Sequence, residues 1–380
     1  ENVQIISPEL VSNGDFSQIG TEEVLNGNFS QEGSELVTNG DFSNGLANWV
    51  VDDGTSWTNV NDTAFCDGNN GLIRQNITST QNKVYKVTFD TIATNSSGKE
   101  LGVRIDAGTY AWNSYSTGTH TIYLTAGSNG FEGVLFYATG GWTGSIDNVS
   151  VKEVGQNWTF TNGTITDKYN ASMTAYQSGV KITPFIKTGT FKVVFDLVVT
   201  SGSCKFDAGG GNDEIYTTSG TKEKIITNPT KFEFNAFNLG WVGSLDNISV
   251  KEVGQDWSFG TGWSVDQANS KAVSDTTTSN LTSSTTLISG RKYKFKLDSE
   301  AISSGSYSFL IRFNSTNTDI GVINSDGSHE FTVVADSTSF RLQTLSGGST
   351  SFSVTNISVK EITDDTDIPR INYSGFSYQD

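Results

Sequence analysis

The sequence predicts an all-β chain in which a short-strand arm precedes three tandem antiparallel β-sandwich domains. Residues 141–158 return at 240–257 with four conservative differences among 18 positions, and a more divergent third copy spans 353–362. The copies are offset by 99 and then by 109 residues. A period of about 100 residues suits whole domains, because solenoid units repeat every ~20–50 residues. The chain is therefore predicted to contain three copies of one small domain.

Short strands joined by tight turns are indicated in every copy. Residues 85–90, 191–196 and 293–298 occupy matching places, and in each an apolar residue alternates with a mostly polar one. Alternation with period 2 is typical of a half-buried strand. Glycine is abundant (40 residues), proline is scarce (4), and Ser, Thr and Asn crowd the stretches between apolar runs. This composition favours strands and turns over helices.

The repeats divide the chain into five segments. We predict an arm at 1–34, domain one at 35–155, domain two at 156–254, domain three at 255–363, and a linker into a further module or tail at 364–380. A domain of about 100 residues can bury a sandwich core without covalent staples. Cys66 and Cys204 occupy non-equivalent places, so they form neither a disulfide framework nor a metal-binding spacing.

The predicted arm has a repeat of its own. Residues 9–17, 23–30 and 35–43 are each typical of a short strand that ends in an Asn-Gly turn. The third runs into domain one, whereas the first two have no domain directly after them. Because a short strand with unpaired edges must pair with something, we expect residues 1–34 to dock on a neighbouring subunit or a larger assembly. A disordered relic of duplication is the alternative.

The closing strand of each copy is predicted to contain a β-bulge. Ile146 and Val149 lie on opposite parities, and a one-residue slip at Asp147 restores the match. A bulge can aim a carboxylate sideways, so Asp147 and Asp246 are candidate ligands of a hard cation such as Ca²⁺. The alternative is an Asx hydrogen bond that closes the bulge. Thr355 replaces the carboxylate in the third copy, so such an ion is not needed by every domain.

Charge and motif content exclude several classes of function. The net charge is −17 and there is no basic stripe, so nucleic acid and anionic membrane surfaces are poor partners. No segment approaches the ~18 apolar residues of a membrane span. His120 and His329 are equivalent, and the middle copy has Lys222 there, which indicates a solvated strand face rather than a general base. No nucleophile or metal motif appears, and a glycosidase carboxylate pair has no support beyond the abundance of acidic residues. We therefore expect no enzymatic activity.

The best candidate for ligand recognition is aromatic. Sugars are bound by flat aromatic faces together with a few polar groups. Domain one contains a predicted loop with Tyr110, Trp112 and Tyr115, and Trp57 lies elsewhere in the same copy. Only this copy keeps these aromatics, so the fold does not require them. The alternatives are loop packing and a subunit interface.

Two segments of domain one carry a family resemblance. Residues 39–49 and 146–151 together resemble a jelly-roll carbohydrate-binding module of the family 4/9/22 type. The tandem Val-Lys-Glu-Val-Gly-Gln-x-Trp junctions resemble those in tail, fibre and spike proteins of bacteriophages that infect Bacteroidetes-type hosts. Residues 367–373 are similar to the lead into a further lectin-like domain in such proteins.

This resemblance implies both a function and an ion. In modules of this family a structural Ca²⁺ often bridges the first and last strands, which implies Asp147 and Asp246 as ligands. We expect a spike- or fibre-like virion protein on the virion surface, outside the cell, whose first domain contacts a host-surface polysaccharide or glycan. Other virion proteins and further copies of the chain, as a trimer, are the implied partners. The alternatives are a carbohydrate-binding array of a secreted polysaccharide-degrading enzyme and a structural appendage without a sugar ligand.

Overall fold

The computed structural model describes residues 4–52, 56–95, 98–128, 133–275, 279–301, 309–345 and 351–364. Every regular element in these ranges is a β-strand, and the strands form antiparallel sheets. The predicted all-β class is confirmed. The described part of the chain has no helix long and apolar enough to cross a membrane. Apart from Asp364, the predicted linker at 364–380 lies outside the described residues.

Domain one is a sandwich of two five-stranded sheets and follows the two arm strands, β1 (Gln4–Ile6) and β2 (Ile19–Glu22). Its strands are β3 (Val50–Val51), β4 (Trp57–Val60), β5 (Thr63–Asp67), β6 (Gly71–Gln75), β7 (Val84–Asn95), β8 (Glu100–Ile105), β9 (Ala111–Asn113), β10 (Gly118–Thr125), β11 (Val134–Thr139) and β12 (Thr143–Val154). One sheet has the order β10-β7-β12-β5-β4 and the other β3-β6-β11-β8-β9. Inward residues such as Phe89 and Phe136 pack edge to face at 5.1 Å between the sheets.

Domain two has the same two layers, but two long strands bend through both of them. Its strands are β13 (Thr159–Phe160), β14 (Thr164–Ile165), β15 (Tyr169–Met173), β16 (Ser178–Ile182), β17 (Thr190–Asp207), β18 (Glu214–Tyr216), β19 (Gly220–Thr227) and β20 (Phe232–Val253). β17 and β20 pair with three register shifts and join the strands of this domain, together with β2, into one nine-stranded network. Phe195, Phe206 and Phe234 fill the core with ring centroids 4.9–6.0 Å apart.

Domain three again consists of two sheets. Its strands are β21 (Trp257–Phe259), β22 (Trp263–Asp266), β23 (Lys271–Ser274), β24 (Asn280–Ser283), β25 (Lys292–Glu300), β26 (Phe309–Phe313), β27 (Asp319–Ile323), β28 (Gly327–Val334), β29 (Phe340–Thr344) and β30 (Phe352–Asp364). One sheet has the order β22-β23-β30-β25-β28, and β1 pairs with β30; the other has the order β21-β24-β29-β26-β27.

The arm lies along its own chain, which corrects the expectation that it docks on a neighbouring subunit. β1 pairs antiparallel with β30 of domain three, and β2 pairs with β20 of domain two. One edge of each arm strand is therefore paired inside the chain. The third repeat, residues 35–43, lies in the same way on domain one, where Leu36 N–H donates to Val151 O at 3.0 Å.

Each repeat buries one phenylalanine against a tryptophan of the domain on which it lies. Phe16, Phe29 and Phe42 are at most 1% exposed. They pack on Trp257, Trp158 and Trp49, respectively, with ring centroids 5.2–5.3 Å apart. The arm thus contributes to the cores of domains three and two, and these two domains are discontinuous in sequence.

The predicted bulge is confirmed in all three closing strands, and it is the point where one of the three repeats meets each domain. Register shifts fall after Asp147 and at the matching places in β20 and β30. Next to the bulge Asn148, which has a φ of +49°, Val149 N–H donates to Gly40 O at 2.9 Å. A Cβ on Gly40 would lie 2.0 Å from Val149 O. The glycine is required because two backbones touch there.

Phe29→Ala is expected to lower the free energy of unfolding of domain two by about 3–5 kcal/mol, because it empties a fully buried aromatic site. Leu25 is 64% exposed in the same repeat, so the matched control Leu25→Ala should change it by less than about 0.5 kcal/mol. Hydrogen exchange of peptides from β17 and β20 measures both variants. Equal costs for the two would contradict the arm's place in the core.

Candidate functional site

The predicted aromatic loop of domain one contains an edge strand. β9 pairs with β8 in the register Gly102↔Trp112, and β8 pairs with β11 in the register Gly102↔Tyr137. Because neighbours across strands point to the same face, Trp112 and Tyr137 share the outer face of this sheet. Trp112 is 41% exposed.

Three aromatic rings meet on this outer face. The ring centroid of Trp112 lies 4.9 Å from that of Tyr110 and 5.9 Å from that of Tyr137. Tyr110 and Tyr137 are half-buried and lie 6.3 Å apart. We call Tyr110, Trp112 and Tyr137 the aromatic face. Sequence reasoning missed Tyr137, because its place beside Trp112 follows only from the pairing of β8 with β9 and β11.

A glycine and an arginine hold the aromatic face in place. A Cβ on Gly102 would lie 2.6 Å from Trp112 Cζ3 and 2.8 Å from its Cε3, so the indole rests directly on the backbone of β8. The guanidinium carbon of Arg104 lies 4.4 Å from the ring centroid of Tyr110, a cation–π distance. The face is therefore preorganised, and it combines ring surfaces with a nearby charged donor.

Trp57 and Tyr115, the other two predicted sugar ligands, belong to the core instead. Trp57 is 2% exposed, and its indole N–H donates to Gly71 O at 3.1 Å. Tyr115 is 5% exposed and packs edge-on against Phe89 at 5.1 Å. Burial raises the pKa of Tyr115. Neither ring is available to stack on a ligand.

The core role of Tyr115 recurs in domain two. Tyr216 packs edge-on against Phe195 at 5.4 Å, as Tyr115 packs against Phe89. Tyr115 and Tyr216 each stand nine residues after the aspartate that ends the matching segment, Asp106 and Asp207, so the expectation that only domain one keeps these aromatics is wrong for Tyr115. The shared packing shows that this tyrosine serves the fold.

The matching face of domain two carries a smaller aromatic pair, which sequence reasoning also missed. Tyr176 is 71% exposed and lies 5.7 Å from Phe237. The two residues are far apart in sequence and meet only when β16 pairs with β20. In domain three this face carries Arg312 and Arg341, both of which donate to Gln343 Oε1 at 3.1–3.3 Å. The three domains thus share a scaffold and differ in surface chemistry.

Asp147 and Asp246, the predicted cation ligands, accept Asx hydrogen bonds that close their bulges. Asp147 Oδ1 accepts from Asn148 N–H at 2.7 Å, and Asp246 Oδ1 accepts from Asn247 N–H at 2.8 Å. In domain three Thr355 Oγ1 donates to Ser270 O at 2.8 Å. The bulges of domains one and two are therefore closed by local hydrogen bonds, whereas Thr355 ties the bulge of domain three to the turn between β22 and β23.

The bulge asparagine also ties the closing strand to its neighbour. Asn148 Nδ2 donates to Asp90 Oδ2 at 2.8 Å, and Asn247 Nδ2 donates to Asp196 Oδ2 at the same distance. Asn356 repeats this contact with Asp298 at 2.7 Å. Hydrogen bonds from Thr119 and then Asn148 lower the pKa of Asp90.

The described residues place no cluster of potential metal-binding side chains around Asp147. Among the described residues, no group of three or more His, Cys, Asp or Glu side chains is placed to hold a metal ion. Burial raises the pKa of Asp147, the N–H of Asn148 opposes this, and the carboxylate of Asp90 raises it further. Burial likewise raises the pKa of Asp246. A Ca²⁺ ion at these positions stays a prediction.

Comparison with known proteins finds similarity to solved structures but to no family model or curated protein. The sequence matches no protein-family model and no curated protein. The N-terminal tandem CBM22-1–CBM22-2 domains of Xyn10C from Paenibacillus barcinonensis are similar at 12% identity over 59% of this chain and 99% of theirs, with a TM-score of 0.24. A Sulfolobus Turreted Icosahedral Virus structure is similar at 11% identity over 80% of this chain and 88% of its own, with a TM-score of 0.21. A triple jelly-roll protein of an archaeal virus turret gives 10% identity, 81% and 88% coverage, and a TM-score of 0.21. At these values the similarities carry no argument about function.

Asp147→Asn distinguishes the Asx hydrogen bond from a calcium site. The raised folded-state pKa of Asp147 means that its contribution to stability is present below the unfolded pKa and is lost as pH rises through the folded one. The amide keeps an acceptor for Asn148 N–H and removes the charge. At pH 7 we therefore expect an unchanged or slightly higher melting temperature, corresponding to a change of less than about 0.5 kcal/mol.

The melting temperatures of the wild type and of this variant should be the same in calcium chloride and in EDTA, as measured by scanning calorimetry. A calcium-dependent rise in the wild type that Asp147→Asn abolishes would establish the ion instead.

Proposed function

We propose that this chain is a non-enzymatic, spike- or fibre-like structural protein of a virion, and that the aromatic face of domain one binds a glycan of the host surface. The observation that carries the glycan part is the exposed, preorganised cluster of Tyr110, Trp112 and Tyr137. Sugar C–H groups stack on such rings, and burial of an indole supplies much of the binding free energy.

The geometry favours a ligand over simple packing of these rings. Trp112 lies on the edge strand β9 and is 41% exposed, so its ring is open to a ligand. The indole packs directly against Gly102, where any larger side chain would clash with it. In domain two the matching edge strand β18 exposes Ile215 instead, so the fold is satisfied by an aliphatic residue there.

A structural role for the two histidines supports the non-enzymatic part. His120 Nε2 lies 2.8 Å from Ser116 O, and His329 Nε2 lies 3.0 Å from Ser325 O. Lys222 Nζ, in the middle domain, donates to Ser219 O at 3.3 Å. All three side chains place a donor on a turn carbonyl, which explains why His and Lys alternate at this position.

The virion part rests on the resemblance of the tandem junctions to those of phage tail, fibre and spike proteins. We propose a location on the virion surface, other virion proteins as partners, and a homo-oligomer, with a trimer as the expected form.

Trp112→Ala should weaken glycan binding at least about tenfold, since a buried aromatic anchor contributes 1.4 kcal/mol or more. The matched control is Ile215→Ala on the equivalent strand of domain two, where the residue is 45% exposed. A glycan array with the full chain identifies the ligand, and titration of its best ligand gives both affinities. A blank array, or equal affinities for Trp112→Ala and the wild type, would contradict the glycan site.

Gly102→Ala tests whether the seat of the indole matters. The added Cβ would meet the indole of Trp112 and displace it without removing any aromatic residue. We expect a loss of affinity approaching that of Trp112→Ala, with an unchanged melting temperature of domain one measured by calorimetry. Wild-type affinity in this variant would show that the position of the ring is unimportant.

The virion proposal is tested separately by mass spectrometry of purified particles. We expect peptides of this chain in intact, density-purified particles and their loss after surface proteolysis. Absence from particles that contain the capsid proteins would contradict it.

A further inference from the structure

Domains two and three lack an opening segment of their own. In domain one, residues 35–43 run directly into the strand region of the same domain. In domain three the equivalent place is filled by residues 9–17, and hydrogen-bonded partners such as Glu9 and Val359 are 350 positions apart in the chain. Residues 22–30 fill the place in domain two. The structure therefore contains two grooves whose occupant comes from a distant part of the chain.

The groove of domain three holds its occupant by backbone and side-chain contacts at both ends. Glu9 accepts from Ser358 Oγ at 2.5 Å and from Val359 N–H at 2.7 Å. At the bulge, Ile357 N–H donates to Gly14 O at 2.9 Å. A Cβ on Gly14 would lie 1.9 Å from Ile357 O, so the groove excludes every other residue type at this position.

The middle of the groove recognises an asparagine and a phenylalanine. Asn13 Nδ2 donates to Gln255 O at 3.0 Å, and the indole N–H of Trp257 donates to Asn13 O at 3.1 Å. Phe16 is fully buried, and its centroid lies 5.3 Å from that of Trp257. Asn13 and Phe16 both adopt positive φ.

The groove of domain two makes the same contacts with the second repeat. The matching contacts join Glu22 to Ser249 and Val250, Gly27 O to Ile248 N–H, Asn26 to Gln156 and Trp158, and Phe29 to Trp158. The sequence pattern predicted a second repeat that begins at Glu23. In the structure Glu22, one residue earlier, makes the contacts that correspond to those of Glu9. Recognition therefore depends on a shared pattern, Glu-x-Val-x-Asn-Gly-(Asp/Asn)-Phe-Ser, rather than on any one repeat.

We propose that the groove of domain three is a peptide-binding site for this pattern, filled here by the chain's own residues 9–17 and open to the same segment of a second copy. Residues 9–17 of the same chain and of a second copy would make identical contacts in the groove. Their effective concentrations therefore determine which of the two binds. Residues 9–17 precede β30 by most of the chain length, so this segment is synthesised long before the groove that binds it. This inference does not depend on the glycan proposal.

Full-length Gly14→Ala opens the groove, because the added Cβ cannot fit against Ile357 O. The probe is a fluorescein-labelled peptide of residues 4–18, read by fluorescence anisotropy. We expect it to bind the Gly14→Ala chain and to be excluded from the wild-type chain, whose groove is occupied. The same peptide with Gly14→Ala should bind at least about tenfold more weakly, whereas a peptide with Ser12→Ala, at an exposed position, should bind normally.

A chain that lacks residues 1–18 is a second open-groove variant and should bind the peptide equally. If either variant loses hydrogen-exchange protection in β21–β30, we expect the peptide to restore it. No binding and no restoration, or equal binding to the wild type and to Gly14→Ala, would overturn the proposal.

Exchange between copies is tested by refolding the wild-type chain at about 10 μM, far below a typical millimolar effective concentration, and at about 1 mM, comparable to it. We expect dimers only at the higher concentration, measured by light scattering, and none for Gly14→Ala at either. Monomers alone at both concentrations would overturn the role of a second copy.

Discussion

The hydrogen bond from each bulged closing strand to the glycine of a repeat segment (residues 9–17, 22–30 or 35–43) is the contact on which the rest of the molecule depends. It occurs three times at 2.9 Å, at Gly14, Gly27 and Gly40, and it needs a bulge on one side and a residue without Cβ on the other. The bulge turns an N–H out of the ladder, and the glycine lets a second backbone reach it. Beside this contact each repeat buries a phenylalanine. The carboxylate of its glutamate accepts hydrogen bonds from the closing strand.

This contact explains why the junctions between domains are the best-repeated part of the sequence. Gln156 and Trp158 in one junction, and Gln255 and Trp257 in the next, supply the acceptor and donor for the arm asparagine. Each junction therefore connects two domains and also supplies part of the site that binds an arm repeat. Because residues 4–43 lie in turn on domains three, two and one, this segment also links the three domains.

Sequence patterns predicted the fold well, since period-2 alternation and the parity slip at Asp147 are local signals. They failed for contacts that only folding creates. The arm was expected on another subunit because no local signal joins Glu9 to Val359 across 350 positions. Trp57 and Tyr115 resembled ligand residues because aromatic type does not reveal burial, and Tyr137 was missed because it reaches Trp112 only through strand pairing. The cation ligands and the Asx hydrogen bond involve the same residues, so sequence alone left them open.

Hydrogen exchange of the wild-type chain tests the central claim most directly, namely that a repeat segment completes each domain and that the arm supplies this segment for domains two and three. The amides of Val149, Ile248 and Ile357, together with those of residues 9–16 and 23–29, should exchange as slowly as the strands they join, because each is held by the same contact. Fast exchange of residues 4–31 beside protected domain interiors would show that the domains are complete without the arm, and would contradict this account.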